Sequence, residues 1–118
     1  MNNYIKGIKN KYVINKVQNT RIPDFKPSKI SRSLIIFSGR VQKVGFRLEI
    51  YELAKRLNLT GSVSNMKNGD VRLEIQGEKE KILFLTGHMR SLKRAKVRNV
   101  RFQDEVLVNG ESSFIYEP

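Results

Sequence analysis

Residues 34–57 read LIIFSGRVQKVGFRLEIYELAKRL, and two periodicities meet within them. Leu34-Ile35-Ile36-Phe37 is a short apolar run that stops at Ser38-Gly39, as a buried strand followed by a turn does. From Phe46 the apolar positions are Phe46, Ile50, Leu53, Ala54 and Leu57, a spacing that paints one face of a helix ending near Asn58. Downstream, Val63 and then Val71, Leu73 and Ile75 alternate with polar residues on either side of Asn68-Gly69, a dipeptide favoured in two-residue hairpin turns. A second helical pattern uses Ile82, Leu85, Met89 and Leu92, although Gly87 weakens its middle by about 1 kcal/mol relative to Ala. Val97 to Phe102 and Ser113 to Tyr116 are strand-like, with Asn109-Gly110 marking a turn between them. The order β-α-β-β-α-β predicts an α+β, ferredoxin-like sandwich, an antiparallel sheet with two helices on one face and an added C-terminal strand.

The chain has 118 residues, 39% of them hydrophobic and 29% charged, which suits one packed domain and argues against a wholly disordered chain. With no Cys and only His88 among the histidines, a disulfide, a thiolate zinc site, a cysteine nucleophile and a multi-histidine metal site all lack their ligands. The longest apolar runs, Leu34–Phe37 and Ile82–Leu85, fall far short of the ~20 residues that cross a bilayer. The basic N-terminus offers only Tyr12-Val13-Ile14 where a secretory signal needs an apolar stretch of about 7–15 residues, so a cytoplasmic protein is expected.

Lys and Arg number 23 against 11 Asp and Glu, giving +12, a field that favours anionic partners, whether nucleic acid or small phosphorylated molecules. Residues 1–30 carry half of that charge, with seven basic residues and only Asp24 against them. They show neither steady strand nor steady helix periodicity, and Pro23 and Pro27 interrupt the second half. Residues 1–30 are therefore expected to be a basic extension that supplies no core face, either a solvated, disordered arm or an electrostatic tether to an anionic partner. The domain proper is expected over 31–118.

Between the first strand and the first helix lies Gly39-Arg40-Val41-Gln42-Lys43-Val44-Gly45-Phe46-Arg47. A basic loop opening directly into a helix presents unpaired backbone N–H groups and the positive end of the helix dipole at one point, which is an anion site. Arg47 falls in the first turn, where a cation opposes the dipole unless an anion is bound nearby, and its planar guanidinium can hold two phosphate oxygens at once.

This stretch resembles the acylphosphatase family motif G-R-V-Q-G-V-G-F-R, matching it at eight of nine positions. A second family element, G-x-V-x-N followed by an N-G or D-G turn and Val, is present as Gly61-Ser62-Val63-Ser64-Asn65, Asn68-Gly69 and Val71, and Gln76-Gly77 supplies the family's Q-G. The resemblance covers residues 31–118. It implies hydrolysis of a carboxyl–phosphate anhydride to a carboxylate and inorganic phosphate by a monomer, with no metal or cofactor. It also implies that Gln42, Lys43, Val44, Gly45, Phe46 and Arg47 bind substrate, the loop amides cradling the phosphoryl oxygens and Arg47 clamping them. Asn65 then positions the attacking water, so that Arg47 and Asn65 are the catalytic residues.

Lys43 departs from the family pattern, standing where Gly is usual; at positive φ it would cost about 1–3 kcal/mol of local strain. His88 reads as a surface helix residue and Phe46 as core. Arg90, Lys93, Arg94, Lys96, Arg98 and Arg101 form a basic cluster that reads either as cations favouring a helix C-terminus or as a nucleic-acid surface. An alternative function is thus a catalytically weakened module that binds RNA or another polyanion, though Val71 to Ile75 carries none of the aromatics on which RNA-recognition sheets stack bases.

Overall fold

The computed structural model describes residues 3–118, with side chains from Asn10 onward. The elements are α1 (Asn3–Asn19), β1 (Ile30–Arg40), α2 (Phe46–Arg56), β2 (Thr60–Asn65), β3 (Val71–Glu78), α3 (Lys79–Arg90), β4 (Lys96–Glu105) and β5 (Phe114–Tyr116). The sheet order is β4-β1-β3-β2-β5. β1 pairs antiparallel with β3 and β4, and β2 antiparallel with β3, as the expected ferredoxin-like arrangement requires. The added strand β5 is present but runs parallel to β2, so the five-stranded sheet is mixed.

β1 outruns the apolar stretch Leu34–Phe37 at both ends. It lies between two partner strands, and pairing of Ser31 with β3 and of Arg32 and Ser33 with both β3 and β4 carries these residues into the strand despite their polarity. Strand alternation sends Ile35 and Phe37, with Val63 of β2 and Val71, Leu73 and Ile75 of β3, toward the helices. Phe46, Ile50, Leu53 and Ala54 of α2 and Ile82, Leu85 and Met89 of α3 close the core from above, with the Phe37 and Phe46 rings edge to face at 5.2 Å. α2 ends where its periodicity predicts: Asn58 turns left-handed at φ 56, and the Leu59 and Asn58 amides donate back to the Ala54 and Lys55 carbonyls. On the opposite face of the sheet the buried Arg32 bridges Glu74 and Glu111. β4 is one edge of the sheet; its Lys96, Arg98 and Arg101 are exposed while Val97 and Val100 pack against the core.

The expectation for residues 1–30 needs correction. Met1 and Asn2 lie outside the described residues, but Asn3–Asn19 form α1, and Val13 and Val17 are 2% and 1% exposed within the core. One apolar pair at i, i+4 is a stripe too narrow to register as a periodicity, yet it is wide enough to seat a helix against α2. Arg56 of α2 completes the anchorage by donating to the Val17 and Thr20 carbonyls at the end of α1, at 2.5 and 2.7 Å. Val17→Ala is expected to cost about 2 kcal/mol, and removal of residues 1–20 to lower the urea midpoint further while leaving the sheet folded. Equal midpoints for the full and shortened chains would show that the buried valines add nothing.

Candidate active site

The loop from Val41 to Gly45 turns through two left-handed residues, Lys43 at φ 64 and Gly45 at φ 75. Gly45 is the N-cap of α2, and no side chain hydrogen-bonds to the helix start, so the first amides of α2 remain available to a ligand. Lys43 therefore does occupy the positive-φ position where the sequence departs from the family pattern. Residues that alternate into this backbone region make a concave nest of N–H groups suited to an anion.

Three side chains hold the loop in that shape. Gln42 Nε2 donates to the Met66 and Asp70 carbonyls, both at 2.9 Å, tying the loop to the β2–β3 turn. Gln42 lines the cleft, and its side-chain amide protons are committed to the turn. Arg94 Nε donates to the Val44 carbonyl at 2.6 Å, and Nη2 reaches the Gly45 carbonyl at 3.4 Å. In a trans peptide the N–H points opposite to the C=O, so pulling these two carbonyls toward Arg94 turns the Gly45 and Phe46 amides the other way. Val13 of α1 packs on Gly45 from behind, where an added Cβ would stand 3.0 Å from its Cγ2.

Arg94 is itself held by Glu49, a fully buried carboxylate on α2. Glu49 Oε1 accepts from Arg94 at 2.5 Å, while Oε2 faces Lys16 of α1 at 3.0 Å and His88 Nε2 of α3 at 2.5 Å. Burial alone would raise the Glu49 carboxyl, but the hydrogen bonds from His88, Arg94 and Lys16 outweigh it and bring the pKa down to about 2. His88 is accordingly no ordinary surface residue: its ring stacks on Phe84 and its nitrogen is spent on Glu49. The basic cluster divides as well. Arg90 ends α3, Arg94 serves the loop, and Lys96, Arg98 and Arg101 lie along β4 instead of at a helix end.

The loop opens into a cleft of about 550 Å³ lined by Lys43, Gly45, Phe46, Arg47, Asn65 and Tyr116, among others. Val44 turns its carbonyl to Arg94 and packs its side chain against the core. Phe46 is 1% exposed and is a core residue whose backbone faces the site. Arg47 donates to the Glu117 carbonyl at 2.5 Å and lies over the Tyr116 ring at 4.8 Å, so the last strand sets the direction of its guanidinium. Asn65 Oδ1 is buried and has no hydrogen-bond partner among the described residues. As site residues, Tyr116, Glu49 and Asn10 escape the sequence reading, and Arg94 enters it only as one member of the basic cluster. Glu49 left a signal as an acid three residues after Phe46 and four before Leu53 on the apolar face of α2.

Fold and cleft together define an α+β protein with a cleft suited to an anion, in which backbone amides, one guanidinium and one side-chain amide line the same space. A sequence model described as acylphosphatase matches residues 34–115, and the chain belongs to the acylphosphatase family. It is similar to an acylphosphatase of Coxiella burnetii, 38% identical over 81 residues that span 68% of this chain and 84% of that protein. An acylphosphatase of Clostridium beijerinckii is 38% identical over 80 residues, 67% of this chain and 89% of its own. A solved Coxiella burnetii acylphosphatase structure superposes with a TM-score of 0.68 at 34% identity, covering 75% of this chain and 93% of that one. α1 lies outside the matched region.

Because the Glu49 carboxyl is depressed in the folded chain from 4.5 to about 2, its contribution is complete above pH 4.5 and is lost as pH falls toward 2. Glu74, lowered by Arg32 and Arg72 against the opposing effect of burial, acts with the same sign. Stability measured by urea unfolding is expected to fall across that window, and Glu49→Gln to be less stable at pH 7 with a shallower acid slope. An unchanged slope in Glu49→Gln would remove Glu49 from the acid response.

Proposed function

We propose that this acylphosphatase, as a cytoplasmic monomer, hydrolyses small acyl phosphates through Arg47 and Asn65, with residues 31–118 carrying the catalytic groups and α1 bracing the loop that holds them. The phosphoryl group sits on the amides of residues 43–47 with Arg47 clamping its oxygens. A water oxygen bonds to phosphorus as the bond from phosphorus to the bridging oxygen breaks. The electron pair of that bond leaves with the carboxylate, and the water's protons pass to the phosphate and to solvent. Phosphoryl transfer of this kind gathers charge on the equatorial oxygens in a loose transition state, so preorganised donors supply most of the acceleration.

The carboxylate leaves readily, and a strong general base is not needed. What carries the reading is the buried Asn65 Oδ1, an acceptor without a partner among the described residues, in the same cleft as Arg47. An attacking water has a proton to donate to it while the oxygen lone pair faces phosphorus. The polyanion-binding alternative has no comparable site, since β3 (VRLEIQGE) holds no aromatic side chain.

Hydrolysis of benzoyl phosphate by the purified chain, without added metal, tests the reaction. Asn65→Ala is expected to lower kcat by about 10²–10³ with little change in KM, because the water is released while the phosphate seat persists. Arg47→Ala is expected to lower kcat and raise KM together, and inorganic phosphate to compete with substrate. Full turnover in either folded variant would remove that residue from the mechanism.

Lys43 brings two opposed effects into the loop: positive φ costs about 1–3 kcal/mol, while an ammonium near bound phosphate adds an attraction that salt screens. Lys43→Gly is expected to leave the thermal midpoint unchanged or higher, to retain turnover, and to flatten the salt dependence of KM. Loss of hydrolysis in folded Lys43→Gly would make the ammonium itself catalytic.

A further inference from the structure

The cleft has a wall that the phosphate does not need. Asn10 of α1 lines it beside Lys43 and Arg47, and Asn10 lies in the helix that falls outside the matched family region. α1 is held against the loop at one point and against α2 at two: Val13 packs on Gly45, while Lys16 pairs with Glu49 at 3.0 Å and Arg56 grips the Val17 and Thr20 carbonyls. With Val13 fixed behind Gly45, Asn10 stands three residues toward the N-terminus, about 4.5 Å farther along the helix axis. Asn10 thus lines the same cleft as the loop and Arg47 without belonging to the loop, and it is free to meet a part of the substrate other than the phosphoryl group. A cleft of about 550 Å³ has the capacity of a small-molecule site, and a phosphoryl group fills only a small part of it.

We propose that α1 is part of the active site and that Asn10 is a specificity-determining residue for the acyl group, favouring carboxylates long enough to reach it. The proposal rests on the acylphosphatase reading and extends it to the substrate class. The side chain is neutral, so its effect falls on the acyl group by contact and hydrogen bonding, leaving the charge of the phosphate seat unaltered. Its surroundings are rigid because the helix beneath it is anchored in the core.

The test uses the full chain and Asn10→Ala, with acetyl phosphate as a substrate too short to reach the wall and benzoyl phosphate as one that does. Asn10 is exposed, so Asn10→Ala is expected to keep the thermal midpoint. Its KM for benzoyl phosphate is expected to rise about fivefold with kcat little changed. Its KM for acetyl phosphate and the inhibition constant of inorganic phosphate are expected to stay within about twofold of the unsubstituted chain. An unchanged or lower KM for benzoyl phosphate overturns the proposal. So does a parallel rise in all three constants, which would place Asn10 on the phosphate instead. If the unsubstituted chain hydrolyses neither compound, the acylphosphatase reading itself fails, an outcome distinct from turnover that is merely indifferent to Asn10.

Discussion

A carboxylate taken wholly out of water must find its compensation in nearby partners, and Glu49 finds three, each from a different part of the chain. Lys16 comes from α1, His88 from α3 and Arg94 from the segment that leads into β4. The net stability of such a group is small, because desolvation consumes much of the attraction, whereas breaking it by removing one partner costs about 3–5 kcal/mol. Its consequence is therefore geometric. α1, α2 and α3 cannot slide past one another without stranding a charge, and Arg94, which divides its fork between Glu49 and the loop carbonyls, passes that restriction on to the Val41–Gly45 loop.

The loop needs such support because its shape is not one the chain adopts unaided. A lysine at φ 64 stands two residues before a glycine at φ 75, and a left-handed lysine persists only when its neighbours over-determine it. Gln42 ties one end to the hairpin turn, Arg94 takes the carbonyls and Val13 supports the back. Strain at the loop and cohesion beneath it are two parts of one arrangement. Rigid donors aimed at a single point stabilise developing charge with little reorganisation during the reaction.

The strands and helices of 31–118 were legible because each follows one period, two for β3 and 3.6 for α2, and because Asn68-Gly69 and Asn58 carry their own turn and cap chemistry. The parallel direction of β5 was not, since three residues hold no record of which way their partner runs. α1 escaped because Val13 and Val17 make a helix only in company with Gly45, Glu49 and Arg56, residues that lie far along the chain. The same division holds in the site. The loop, Arg47 and Asn65 are local patterns, whereas Asn10, Arg94 and Tyr116 arrive from distant segments and become visible only when the chain is folded.

The exposed cations along β4 have a consequence apart from anion binding. A ten-residue strand at the border of a sheet offers a row of backbone N–H and C=O groups to any strand that aligns with it, which is how separate molecules begin to zip into fibres. A second copy docking its own β4 there in parallel register would set Lys96, Arg98 and Arg101 beside the same three side chains and Asp104 and Glu105 beside theirs, and like charges would oppose the hydrogen bonds. At the opposite border β5 is three residues long and offers too few groups to template an addition. The +12 charge of the whole chain adds a general repulsion between neighbouring molecules, which does not depend on what the cleft holds.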